Sequence, residues 1–232
     1  MPDPQPELFD HHATSYEEDL AKALSASGEG REFFAEGRVA WLRRCCERLG
    51  VRVDRVMDFG CGDGFATPML AHGLGATTAI GLDVSEKSLD VARDKHAPAG
   101  IEYARIGAYA PDASVDVAYC NGVFHHIVPP ERPGAVELVA KSLKPGGLFA
   151  LWENNPWNPA THYVMAKCEF DADAQMLTPG KTRKLLRANG FDIVSTNFRF
   201  IFPRALRALR GIENWVYRIP LGTQYQVLAR KA

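Results

Sequence analysis

One stretch constrains this chain more than any other: Val56-Met57-Asp58-Phe59-Gly60-Cys61-Gly62-Asp63-Gly64-Phe65. It closes a short β-like run, Arg55–Gly60, and opens a helical run, Phe65–Leu74. Glycines at alternate positions let the backbone turn sharply and let a ligand approach it closely. The free N–H groups of the helix that follows point at the same place. A dinucleotide-binding turn needs glycine at the sixth position of GxGxxG, so that the helix packs tightly beside a pyrophosphate. Phe65 stands there, which argues against a nicotinamide dehydrogenase. Asp58, just ahead of the turn, repels phosphate but suits a cationic ligand bearing an amino group.

The rest of the chain extends this pattern. Thr77–Val84 is followed by helical Ser85–His96, then Ile101–Gly107, then Val115–Val123 and helical Glu131–Leu143, then Leu148–Asn155. Strand–helix alternation with short connections predicts βαβ units and a parallel sheet. A helix is expected from Pro179 to Asn189, capped by Thr178, with Pro179 at its first position and Gly190 as its stop. Phe191–Ile201 and Gln224–Arg230 are two further strands, and Pro203–Tyr217 an extra helix or two. Ahead of the glycine turn, a Pro-rich tail leads to a helical region from about Ser15 to Leu49, broken near 25–30. Its second piece places Phe34, Trp41, Leu42, Cys45 and Leu49 near one face. The 232 residues, 46% hydrophobic and 24% charged, suit one α/β domain. We divide it into a helical cap (1–50), a cofactor-binding core (51–155) and a substrate-side insert with the final strands (156–232).

The second strand ends in Gly81-Leu82-Asp83-Val84. A carboxylate at that edge accepts hydrogen bonds from both hydroxyls of a ribose. The site therefore asks for a ribose and a positive group without a phosphate, a description that S-adenosylmethionine fits.

These residues resemble the class I S-adenosylmethionine-dependent methyltransferases. Val56–Phe65 is similar to the family's first motif, and Asp83 matches its ribose-binding acid. The segment from Asp112 to Ile127 is similar to the fourth-strand motif, and Leu143-Lys-Pro-Gly-Gly147 to the turn before the fifth strand. The resemblance implies a Rossmann-like doubly wound sheet of seven strands, mostly parallel, whose last strand, Gln224–Arg230, is antiparallel. Many members carry an acidic residue after the third strand, near the adenine amino group; here the sequence is Ile106-Gly107-Ala108-Tyr109. Backbone and apolar contacts at Gly107 and Ala108 then hold the adenine. Glu153–Pro159, Cys168–Ala174, Leu185–Phe191 and Pro220–Tyr225 are similar to a bacterial subgroup acting on small molecules, often sugars or natural products. Phe9-Asp10, Tyr16 and Phe33–Arg38 are similar to that subgroup's cap.

In a doubly wound sheet the ligand lies across the carboxyl ends of the strands. This aligns Gly60, Cys61, Gly62, Asp63 and Gly64 with Asp83, Val84 and Asn121 as cofactor contacts beside Asp58. Tyr16 and Arg38 of the cap are candidates for the cofactor carboxylate, since a guanidinium grips a carboxylate bidentately. His125 and His126 follow the fourth strand and are candidate general bases, because histidine titrates near neutral pH. Orienting the loops is the alternative. Glu153 either orients an acceptor or ion-pairs with an arginine of the cap. Trp157, Tyr163 and Trp215, with Phe170 and Tyr217, are aromatics that could wall a substrate pocket. No metal is expected, because adjacent histidines lack the i, i+4 spacing of a helical ligand pair. His11, His12, His72 and His96 fall in the tail or on helices and are expected to be solvated.

The expected function is methyl transfer to a small metabolite, with a sugar or natural-product hydroxyl preferred as acceptor. A small amine is an alternative. So is nucleic acid, since Asn155-Pro156-Trp157 superficially resembles an Asn-Pro-Pro-aromatic signature. A binding protein without turnover is a third. With 27 basic against 28 acidic residues, no global field draws the chain to nucleic acid or to an anionic membrane. No apolar run approaches the length of a membrane span. The N-terminus is too polar for a signal peptide. The five cysteines have no CxxC spacing, so a reducing cytoplasm is expected.

Overall fold

The computed structural model describes residues 24, 27–168, 171 and 173–232. Tyr16, the first piece of the cap, His11, His12 and Phe170 lie outside these residues.

Helix α1 (Arg31–Arg48) precedes strand β1 (Arg55–Phe59), and the alternation then runs as predicted. It continues through α2 (Ala66–Leu74), β2 (Thr78–Asp83), α3 (Glu86–His96), β3 (Ile101–Arg105), β4 (Val115–Asn121), α4 (Arg132–Ser142) and β5 (Leu143–Asn154). The remaining elements are α5 (Pro159–Met165), α6 (Pro179–Ala188), β6 (Phe191–Arg199), α7 (Glu213–Val216) and β7 (Gln224–Lys231), with a 3-10 stretch at Arg204–Ile212. The seven strands form one sheet in the order β3-β2-β1-β4-β5-β7-β6. β1 pairs in parallel with β2 and β4, and β4 with β5. β7 runs antiparallel to both β5 and β6. Strand order reverses between β1 and β4, and the open crevice of such a sheet lies at that reversal.

Side chains alternate across a strand, so the central strands feed two apolar layers. Met57, Phe59, Ala118, Cys120, Phe149 and Leu151 enter one layer. Val56, Val117, Tyr119, Leu148, Ala150 and Trp152 enter the other. Helix α1 covers the second layer with Trp41, Leu42, Cys45 and Cys46. Each large apolar side chain fully buried this way contributes about 1.5–3 kcal/mol over its exposed state. Cys45 and Cys46 are both buried in this layer, and all five thiols are free.

Local signals set the helix boundaries. The Thr178 hydroxyl accepts the Lys181 N–H, Pro179 opens α6, and Gly190 follows it at φ 82°. Ser85 caps α3 by accepting the Ser88 N–H. Two differences from the sequence reading stand out. β5 begins at Leu143, because Leu143 bridges to Val115 across a register shift. Helix α5, not predicted, is capped by Asn158, whose side chain accepts the N–H groups of Ala160 and Thr161. Among the described residues no helix is long and apolar enough to cross a membrane.

Candidate active site: two chambers sharing a rim

The glycine turn after β1 closes over the end of β2. The backbone N–H groups of Gly60 and Cys61 donate to the Leu82 carbonyl. Gly60 has φ 75°, and a β-carbon there would collide with Val123. Gly62, at φ 53°, has no heavy atom within 4 Å of where its β-carbon would stand. That open space faces a cavity of about 270 Å³. Gly64 plays a different part. It does not line this cavity; its missing side chain lets Ala92 and Tyr103 pack against the turn.

Asp58, Gly60, Cys61, Gly62, Asp63, Asp83, Val84 and Asn121 line the cavity, and so does Arg38. Gly107 and Ala108 do not; Ile106 takes that position, since the chain turns at 106–108 and presents its apolar side chain inward. The Asp83 carboxylate accepts the Gly62 N–H at 2.8 Å and the Ser85 N–H at 2.9 Å, which fixes it across the end of β2. Asp58 accepts the Thr67 hydroxyl at 2.7 Å. Burial lifts its pKa to about 7; the Thr67 hydrogen bond opposes this, Asp83 and Asp63 add to it, and Arg38 lowers it. Arg38 donates to the Tyr119 hydroxyl at 2.7 Å and to the Gln224 side-chain oxygen at 3.0 Å. Among the described residues, the side-chain oxygen of Asn121 is buried without a hydrogen-bond partner. A buried acceptor left open at a cavity wall suits a ligand that brings a donor. Two carboxylates, an open acceptor, a glycine cradle and no phosphate-binding glycine pattern fit the adenosine and charged amino-acid tail of S-adenosylmethionine.

Sequence reasoning missed Arg31 and Phe34 of the cap, although both line the same cavity. Arg31 pairs with Asp63 at 2.8 Å and lies over the Phe65 ring at 3.9 Å, tying the cap to the glycine turn. No motif marks Arg31, and Phe34 reads only as part of the cap's apolar face and its Phe33–Arg38 segment, not as a wall of the site.

A second cavity, of about 320 Å³, adjoins the first. Leu24, Phe34, Asn121, Gly122, His126 and Gln224 border both. His125, Asp171, Asn158, Tyr163 and Arg210 line the second alone, with a wall from Phe200 to Pro203. Glu213 braces that wall by accepting the N–H groups of Phe200, Ile201 and Phe202. Arg210 is held by Glu29 at 2.8 Å, which joins the insert to the cap.

Behind the shared rim lies a buried polar chain. Glu153 is 1% exposed and lines neither cavity. Of the two roles expected for it, orienting an acceptor or pairing with a cap arginine, the structure shows neither. Its carboxylate accepts the Phe124 N–H at 2.8 Å and meets Nδ1 of His125 at 2.6 Å. The reason is reach: Glu153 ends β5 beside β4, directly under the 122–126 turn. His125 and His126 each place Nε2 3.4 Å from the same Oδ1 of Asp171. Burial disfavours a charge on His125, but Glu153 and Asp171 outweigh it and hold its pKa up to about 10. Burial, then the charge on His125, pushes His126 down to about 3. The two histidines therefore differ in kind: one is a braced cation, the other a neutral imidazole at the rim. Asp171, which sequence reasoning did not assign, sits in the Cys168–Ala174 segment and reaches the site only through the fold.

Trp157 and Trp215 line neither cavity; they are 56% and 86% exposed. Both sit where a short turn or helix end faces solvent. Asn155 uses its side chain to donate to the Pro220 and Gly222 carbonyls, so the Asn-Pro-Trp stretch shapes a loop junction. Of the remaining histidines, His72 is on α2 and His96 on α3, where Phe65 packs edge-on against the His96 ring.

Comparison with known proteins agrees with this geometry. Residues 56–147 match the family model of the methyltransferase domain. The chain is 31% identical over 119 residues to trans-aconitate 2-methyltransferase of Variovorax paradoxus, covering 51% of this chain and 45% of that protein. It is 32% identical over 105 residues to 27-O-demethylrifamycin SV methyltransferase of Amycolatopsis mediterranei, covering 42% of this chain and 38% of that one. The chain thus spans less than half the length of these curated relatives. The crystal structure of an S-adenosylmethionine-dependent methyltransferase from Mesorhizobium loti superposes with a TM-score of 0.56 at 27% identity, covering 76% of this chain and 90% of that one. Strand order, glycine turn and matched domain converge: residues 56–147 form a methyltransferase domain, and the chain is similar to an S-adenosylmethionine-dependent methyltransferase over about three quarters of its length.

Proposed function

We propose that this chain transfers a methyl group from S-adenosylmethionine to an oxygen of a small, largely uncharged acceptor. One observation carries the reading: the cofactor chamber and the second chamber meet at Asn121, Gly122 and His126. The cofactor supplies a methyl group already activated on a sulfonium sulfur. What the protein adds is positioning and exclusion of water. Asp83 holds the ribose hydroxyls, Asp58 and Asn121 face the charged amino-acid tail, and Arg38 with its Tyr119 and Gln224 partners closes the chamber beside the cap. His126, a neutral imidazole at the rim, meets the acceptor and orients it by accepting a hydrogen bond from its hydroxyl. His125 and Glu153 are positioning residues that fix the turn carrying His126.

The second chamber supports an uncharged acceptor. Arg210 is the one guanidinium among the described residues lining it, and Glu29 already engages that charge. Tyr163, Phe33, Phe200 and Phe202 give the chamber an aromatic wall suited to a ring or a hydrocarbon face. A hydroxylated sugar or natural product fits this lining better than a polycarboxylate. The named activity of the Variovorax relative favours a second reading, a carboxylate acceptor, for which Arg210 would have to exchange Glu29 for the substrate.

The test is to incubate the full chain with S-adenosylmethionine and a panel of hydroxyl, carboxylate and amine acceptors, and to read product mass. Methylation of hydroxyl acceptors supports the first reading. Methylation of carboxylates alone, lost in Arg210→Gln, supports the second. Methylation of amines alone overturns both.

A further inference from the structure

Three donor groups at the mouth of the second chamber are arranged as ligands rather than as hydrogen-bond partners. One nitrogen each of His125 and His126 and one carboxylate oxygen of Asp171 all lie within 4.8 Å of one another. The two Nε2···Oδ1 separations are both 3.4 Å. That is longer than the 2.7–3.2 Å of a good N–H···O hydrogen bond. It matches the spacing of two ligands on one ion, since bonds of about 2.1 Å at a tetrahedral angle set donor atoms roughly 3.4 Å apart.

The surroundings fit the same purpose. Glu153 meets Nδ1 of His125 at 2.6 Å and is itself fixed by the Phe124 N–H. A carboxylate on one imidazole nitrogen orients the other as a metal ligand. Adjacent histidines alone make a poor ligand pair by spacing; Asp171, from the loop after α5, supplies the third donor on the far side. Three protein ligands with a remaining position open are the pattern of a catalytic rather than a structural site.

Resting on the reading of the second chamber as the acceptor site, we propose that His125, His126 and Asp171 hold a first-row divalent cation, zinc or manganese, which displaces the Nε2 proton of His125 to solvent and keeps an open coordination position for the acceptor's oxygen. Two imidazoles and a carboxylate suit ions of this class. The cation polarises the acceptor O–H, and its proton passes to water. The oxygen then bonds to the methyl carbon as the methyl–sulfur bond breaks, its electron pair staying on sulfur. With the cation in place, His126 serves as ligand, and the ion replaces it in orienting the acceptor's hydroxyl.

The experiment uses the full chain, stripped with a chelator, then titrated separately with Zn²⁺ and Mn²⁺ by calorimetry, with stoichiometry from native mass spectrometry. The expected result is one ion per chain. Asp171→Asn and His126→Ala should weaken binding a hundredfold or more, and Glu153→Gln roughly 10–100-fold. No saturable binding of either ion overturns the proposal, and so does unchanged affinity in Asp171→Asn. Electron paramagnetic resonance of the Mn²⁺ form of the unmodified chain gives a reading independent of variant folding: coupling to imidazole nitrogen supports the site, and an all-oxygen shell overturns it. S-adenosylmethionine affinity, measured on the stripped protein, separates the two claims. If it persists while no ion binds, the methyltransferase reading stands and the metal inference falls. If an ion binds but the cofactor does not, the reverse holds.

Discussion

The two chambers are built on opposite plans. The cofactor chamber is made largely of backbone turns at the ends of β1, β2 and β4, and one unbroken stretch, Asp58–Asp63, supplies much of its wall. The second chamber, where we propose the acceptor binds, is assembled from side chains of the cap, the 121–126 turn, the loop after β5 and the insert before β7. The first plan fixes one ligand through glycines and carboxylates that cannot change without breaking the turn. The second allows the acceptor to change by replacing side chains on separate segments while the sheet stays intact. A shared cofactor and variable acceptors follow naturally from that division.

The division is open to direct attack. The largest expected effect is on chemistry: His126→Ala removes the group that orients the acceptor and should lower kcat about 10²-fold while leaving S-adenosylmethionine affinity within a few-fold. Equal losses in both would show that the rim belongs to the cofactor chamber alone. Next comes the turn. Gly60→Ala places a β-carbon against Val123 at φ 75° and should destabilise the fold by roughly 2–4 kcal/mol, read by denaturant unfolding. Gly62→Ala meets no protein atom, so its stability loss should be about 1–2 kcal/mol, from backbone conformation alone. Similar losses at both positions would contradict the cradle.

A smaller effect lies in pH. Asp58 is held up to about 7 by burial, so in the free protein it is largely neutral below that pH and ionised above. A cationic ligand needs the ionised form. Cofactor affinity should therefore rise from about pH 5 to 7, by at most about tenfold per unit, and level off above 7. Binding near pH 6.5 should release a proton, visible as a buffer-dependent heat. Asp58→Asn should flatten the profile; an unchanged slope in that variant would assign the titration to another group. The smallest effect belongs to Trp215, which is 86% exposed. Trp215→Ala should change stability by less than about 0.5 kcal/mol. A larger loss would place it in the acceptor wall after all.

The same contrast explains how much could be seen in the sequence. Short β-like runs alternating with helical runs marked the strands of the sheet. Thr178, Pro179 and Gly190 marked the bounds of α6. Asp58, Gly62 and Asp83 were visible because their spacing along the chain is their spacing in the site. Asp171 was invisible because its partners lie on another segment, and the fold alone brings them together. Glu153 was placed at the right strand end but assigned to the wrong neighbours, since nothing in the sequence shows that the 122–126 turn folds over it. Trp157 and Trp215 were taken as pocket walls on residue type; a tryptophan on a turn or on a one-turn helix can face solvent, and these do. Gly64 fell in the motif yet serves packing, because only its φ and its contact with Tyr103 reveal which way it faces.

The most direct test of the two-chamber account is titration calorimetry of S-adenosylmethionine against the unmodified chain, Asp83→Ala and Asp171→Asn. The account predicts one site per chain, a loss of roughly 1–3 kcal/mol in Asp83→Ala, and an affinity within about threefold of the unmodified chain in Asp171→Asn. Full affinity in Asp83→Ala, or an equal loss in Asp171→Asn, would contradict it.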